Sequence, residues 1–121
     1  MDAVTQIIEV GDMRLEVAPQ NGGSIVSWRR GDQMLMQGRP TEAHLACFAM
    51  VPYCNRIARG RFSFQGRSVV LSPNFPSEEN TIHGIAWQAA WQVTSKTADE
   101  LSLSYNHDAV ASAASGWPWT F

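Results

Sequence analysis

Apolar and polar positions along this chain alternate in short runs, and no stretch holds the three-to-four spacing of a long helix. Thr5 to Val10 and Met13 to Val17 are apolar or alternating runs parted by Gly11-Asp12. The order Gly-Asp predicts a hairpin closed by a type II′ rather than a type I′ turn. Ser24 to Trp28 reads as a third strand behind Asn21-Gly22-Gly23, and Gly31-Asp32 turns the chain into Gln33 to Gln37. Thr41 to Met50 reads as a helical turn or a loop that Pro52 ends. The clearest hairpin runs from Arg61 to Phe64, through Gln65-Gly66, and back along Arg67 to Leu71. Ser72 to Thr81 holds Pro73, Asn74, Pro76, Ser77 and Asn80 and reads as a loop. Ile82 to Val93 carries Trp87 and Trp91, and Ala109 to Ser115 is small and featureless. Leu101, Leu103 and Tyr105 alternate with Ser102 and Ser104, the spacing of a strand with one polar face. Short strands with regular turn signals predict a mostly β chain, a sandwich or a barrel.

Composition narrows the function classes. A length of 121 residues and a hydrophobic content of 45% fit one domain with a core. Net charge is −2, and the basic residues, nearly all Arg, are scattered. That argues against a nucleic-acid stripe; Arg14, Arg29, Arg30 and Arg39 read as solvated surface groups. No run approaches the ~20 apolar residues of a membrane span, and Met1 to Gln6 has no secretory character. Cys47 and Cys54 read as free, buried thiols of a reducing compartment, which points to the cytoplasm. Three His and two Cys at irregular spacing make no metal motif, and no Gly-rich phosphate loop or nucleophile elbow is present. No cofactor is implied.

The densest chemistry lies in Pro52-Tyr53-Cys54-Asn55-Arg56-Ile57 and, further on, His83-Gly84. Amide and guanidinium groups offer planar sets of donors suited to a ligand made of hydroxyls. An imidazole adds a proton donor or acceptor near neutral pH. Together with Gly60 to Arg67, Asn74, Ile82 to Gly84, Trp87, Trp91 and Gly116 to Phe121, this stretch resembles the first part of the aldose 1-epimerase (galactose mutarotase) family. The resemblance implies a large antiparallel β-sandwich, of which residues 1–121 are the N-terminal portion of one domain.

It also implies a chemistry. Such enzymes interconvert the α and β anomers of a free hexose. A base takes the anomeric proton, an acid protonates the ring oxygen, and the ring opens and recloses on the other face. His83 matches the family's first active-site His, in a supporting role near the ring oxygen; otherwise it is a core-rim histidine. Arg56 matches the sugar-contacting arginine, whose fork bridges adjacent hydroxyls; otherwise it serves a structural ion pair. Asn55 binds sugar or braces its turn, and Asn74 and Asn80 are weaker candidates in the loop before His83. Gly84 is expected to meet a backbone requirement, close approach or positive φ. The family's second His, an Asp and a late Glu match nothing here, so the principal acid and base are expected beyond residue 121, and His107 does not resemble the missing His. A relative acting on a hexose phosphate would need a basic pocket, for which Arg59, Arg61 and Arg67 are available. A non-catalytic carbohydrate-binding module or an inactive fragment would keep Arg56 and His83 alone. Unpaired strand edges would favour a homo-oligomer.

Overall fold

The computed structural model describes residues 4–38, 47–110 and 115–121. Arg39, most of the stretch from Thr41 to Met50, and residues 111–114 lie outside the described residues. Contacts divide the chain into two units, Met1–Ala49 with Ala86–Tyr105, and Met50–Ile85 with Asn106–Phe121.

The first unit is built on a four-stranded antiparallel sheet in the order β1 (Gln6–Val10), β2 (Met13–Ala18), β3 (Ser24–Arg30), β4 (Gln33–Gln37). At the first turn Gly11 has φ +60° while Asp12 is not left-handed, the pattern of the expected II′ turn. β3 continues two residues past the predicted end at Trp28. Arg29 and Arg30 pair with Arg14 and Met13 on one side and with Met34 and Gln33 on the other. Backbone pairing on both flanks outweighs the polar character of these side chains. Ile8, Val17, Ala18 and Val26 are buried in this unit, as is Ala86. A 3-10 turn at Ala86–Gln88 carries Trp87, whose ring lies 5.6 Å from that of Phe48. Gly22 is required here, because a Cβ would sit 2.2 Å from the Trp87 carbonyl oxygen. The last two strands of the chain, β9 (Gln92–Lys96) and β10 (Leu101–Ser104), form a separate antiparallel pair.

The second unit holds the predicted hairpin as β6 (Arg61–Phe64) and β7 (Arg67–Val70). Gln65 and Gly66 both have positive φ, the signature of a type I′ turn. Two further strands escaped the sequence pattern. β5 (Arg56–Ile57) and β8 (Thr81–Ile82) are two residues each and pair antiparallel. Val69 and Leu71 are the buried apolar residues of this unit, beside the buried Thr81 and His107. Trp117 packs against Tyr53, Phe62 and Trp119 at centroid separations of 5.3 to 5.9 Å. His107 is fully buried and stacked on Phe121, with which it exchanges two backbone hydrogen bonds. It is a core residue.

The cysteines correct one expectation. Both thiols are free, as expected, but exposed rather than buried. Cys47 occupies an isolated bridge to Ile25, and Cys54 lies between the bends at Pro52 and Asn55, beyond the cis Val51-Pro52 bond. Among the described residues neither cysteine lies within a named strand, where neighbouring strands would pack over it.

Candidate functional site

The β5–β8 pair sets Arg56 opposite Ile82, which brings the residues just outside it, Asn55 and His83, face to face. Both are left-handed, each with φ 62°. Asn tolerates this region; His does so less readily, at a cost of roughly 1 kcal/mol or more. The conformation is held by a reciprocal pair of bonds. The His83 backbone N–H donates to the Asn55 carbonyl at 3.0 Å, and the Asn55 N–H donates to His83 Nδ1 at 3.2 Å. An accepting Nδ1 carries no proton, so the neutral imidazole has its proton on Nε2, as a donor. The Asn55 side chain accepts from the Arg56 N–H at 2.9 Å and so braces its own bend.

Gly84 meets both parts of its expectation. Its φ is +75°, and a Cβ would lie 2.1 Å from the Val51 carbonyl oxygen. Val51 and Gly84 form a parallel bridge, and Ile85 N–H donates to that same oxygen at 2.8 Å. Tyr53 is hydrogen-bonded to Thr81 through their hydroxyls. Burial pushes the Tyr53 phenol up, and its bonds to Thr81 and to the Gly84 backbone pull it partly back.

The loop between β7 and β8 supplies the rest. Asn74 Nδ2 donates to the carbonyls of Ile82 at 2.7 Å and Gly84 at 3.0 Å, and its Oδ1 accepts from Ile82 N–H at 2.8 Å. One amide thus brackets the peptide units on either side of His83. Glu78 accepts from Arg56 Nε at 2.7 Å through one oxygen, and from the Asn80 N–H and Nδ2 through the other. The Arg56 bond is the main reason the Glu78 carboxyl is held below the ordinary glutamate value, with Asn80 N–H adding to it against a smaller effect of burial. Asn80 Oδ1 accepts from Arg59 N–H at 2.8 Å.

Sequence reasoning missed Glu78. Ser77-Glu78-Glu79-Asn80 reads as polar loop, and only the fold decides which of two adjacent carboxylates reaches a guanidinium 22 positions back. The one available signal was an acidic pair lying between the Arg and His of the motif. Next to this cluster, Arg59, Arg61, Glu79 and Asn80 line an open depression of about 530 Å³. Arg67 does not join it and lies 6.0 Å over the Trp119 ring instead. Among the described residues no group of three or more His, Cys, Asp or Glu side chains is arranged to hold a metal ion, and no helix is long and apolar enough to cross a membrane.

The model of the aldose 1-epimerase family matches residues 7–121. The chain belongs to this family. The uncharacterized YphB protein of Escherichia coli K12 is 34% identical over 99 residues, 80% of this chain and 34% of its own length. YihR of the same organism is 28% identical over 102 residues, 83% of this chain and 33% of its own length. Among solved structures, a candidate aldose 1-epimerase of E. coli K12 superposes with a TM-score of 0.80 at 31% identity, over 87% of this chain and 37% of that one. The galactose mutarotase related enzyme of Lactobacillus acidophilus gives a TM-score of 0.74 at 17% identity, over 97% of this chain and 36% of that one. The fold of this aldose 1-epimerase family member is therefore mostly β and of the galactose mutarotase-like type, and the chain spans about a third of the length of the curated relatives it matches.

Proposed function

We propose that residues 55–84 form the sugar-holding side of a hexose anomerisation site. The observation that carries this reading is the juxtaposition of Asn55, Arg56 and His83 at the end of the β5–β8 pair. A guanidinium fork and an imidazole Nε2–H are the donors that a ring oxygen and adjacent hydroxyls accept. Arg56 binds neighbouring hydroxyls, and His83 supports the ring oxygen as the ring opens. The principal acid and base, an imidazole and a carboxylate, come from the part of the family fold beyond residue 121. The exposed free thiols fit a reducing, cytoplasmic setting.

The substrate is a neutral hexose. Glu78 offsets the charge of Arg56, which favours hydroxyls over an anion at that point. A hexose phosphate is the second reading, and the depression lined by Arg59 and Arg61 favours it. Glu79 on the same wall opposes it.

Saturation-transfer NMR with D-galactose, D-glucose and glucose 6-phosphate separates these readings. The expected result is transfer to the free sugars that disappears in Arg56→Ala. Transfer confined to the phosphate ester, and lost in Arg59→Ala, would replace the first reading by the second. No transfer to any of the three would remove both.

A further inference from the structure

The Arg56–Glu78 pair differs from an ordinary surface ion pair. Its two partners are unequally placed: the Arg56 side chain is 55% exposed and that of Glu78 17%. The carboxylate is also the fixed member, because three donors from two residues converge on it. Its contact with Arg56 is a single bond to Nε, not the bidentate fork of a pair formed for its own sake. Nε is the guanidinium nitrogen nearest the stem, so gripping it sets the plane of the whole group. The Nη hydrogens at the far end have no acceptor among the described residues.

The loop geometry extends the same logic. Asn80 Nδ2 and N–H hold one oxygen of Glu78, while Asn80 Oδ1 holds the backbone of Arg59, itself left-handed at φ 56°. Glu78 is therefore tied directly to the backbone just before β8 and, through the Asn80 amide, to the backbone just after β5. A carboxylate so anchored can hold a mobile arginine in one orientation at little cost in its own freedom, where a solvated glutamate could not.

We propose that Glu78 is a positioning residue that grips Arg56 at Nε and turns its Nη edge outward to meet the hydroxyls of the sugar. This rests on the sugar-site reading above and adds to it a residue that acts through Arg56 without touching substrate. Glu78→Gln keeps the shape and the acceptor oxygen but removes the charge that makes the bond strong.

The test uses the 121-residue chain and two independent readouts. The first is the Arg56 Nε–H signal in proton–nitrogen NMR. It is expected to be resolved from the other arginines and slow to exchange, to exchange about tenfold faster in Glu78→Gln, and to be partly restored in Glu78→Asp, which keeps the charge on a shorter arm. Glu100→Gln, in the turn between β9 and β10, serves as the control and leaves it unchanged. The second is the dissociation constant for D-galactose, expected to rise about tenfold in Glu78→Gln, the equivalent of losing about one net hydrogen bond.

An Arg56 Nε–H that is indifferent to Glu78→Gln overturns the proposal, as does unaltered galactose affinity once that signal has been released. If the unsubstituted chain binds no galactose, the sugar-site reading fails, and the Nε–H signal alone decides whether Glu78 holds Arg56. If the amide spectrum of Glu78→Gln collapses, Glu78→Asp carries both readouts. An Arg56 signal or an affinity identical to that of the unsubstituted chain would then overturn the proposal, since the shortened arm must weaken the grip.

Discussion

Asn55 and His83 hold each other in the left-handed region through two hydrogen bonds, one from backbone to backbone and one from backbone to ring nitrogen. This single relationship fixes both the bend that launches Arg56 and the tautomer of the imidazole. A histidine Nδ1 that accepts from a peptide N–H leaves the neutral ring with Nε2 as its donor. The candidate site is therefore built from main-chain geometry as much as from side-chain chemistry.

That dependence makes Gly84 the most sensitive position near the site. Gly84→Ala places a Cβ 2.1 Å from the Val51 carbonyl oxygen and retains a φ of +75°. Backbone cannot yield here as a flexible side chain would. The expected loss is about 3 kcal/mol or more, read as a lowered midpoint in urea. A loss below about 0.5 kcal/mol would show that the Val51–Gly84 bridge is not maintained.

Asn74 is predicted to act on His83 without touching its ring. Asn74→Ala removes two donations and one acceptance around residues 82–84, at an expected cost of about 2 kcal/mol. Asn74→Asp keeps the acceptor but turns a charge toward two carbonyls, and it should be no better. NMR should show the His83 ring signals broadened or shifted in both variants. Unchanged ring signals would separate Asn74 from the site.

Acid should loosen Arg56. The folded-state pKa of Glu78 is lowered, chiefly by Arg56. The stability this pair contributes is thus fully present above the ordinary glutamate value and is lost as pH falls through the lowered one. Carbon NMR of the Glu78 carboxyl should give a midpoint below that of a free glutamate, and Arg56→Ala should raise it. An identical midpoint in the variant would contradict the pairing.

Unit by unit, the strand edges bear apolar groups. Ile7 and Val10 on edge strand β1, and Met34 and Leu35 on edge strand β4, are exposed, as are Phe64 and Val70 in the β6–β7 hairpin. Exposed edges of this kind invite pairing. Sedimentation of the 121-residue chain is expected to show concentration-dependent self-association that Leu35→Lys reduces. A stable monomer at all concentrations would argue against it.

The parts of this fold that were legible in the sequence are the local ones. Gly11-Asp12, Gly31-Asp32 and Gln65-Gly66 each carry their own turn chemistry, so the hairpins they close could be read from a few residues. β5 and β8 could not, because two residues offer no periodicity and more than 20 residues, the β6–β7 hairpin among them, separate the two in sequence. The site divides in the same way. Asn55, Arg56, His83 and Gly84 stand out in the sequence through a motif. The bracket made by Asn74 was hidden behind the usual reading of a loop asparagine as a turn-former, and Glu78 behind its like neighbour Glu79. Exposure of the two cysteines was hidden as well, because a small thiol is ordinarily a core residue.

Whether residues 55–84 hold a sugar is decided by amide NMR of the 121-residue chain titrated with D-galactose and D-glucose. Saturable shifts concentrated at Asn55, Arg56 and His83 are expected, and they should vanish in Arg56→Ala. Shifts centred elsewhere, or none up to high millimolar sugar, would contradict a sugar site there.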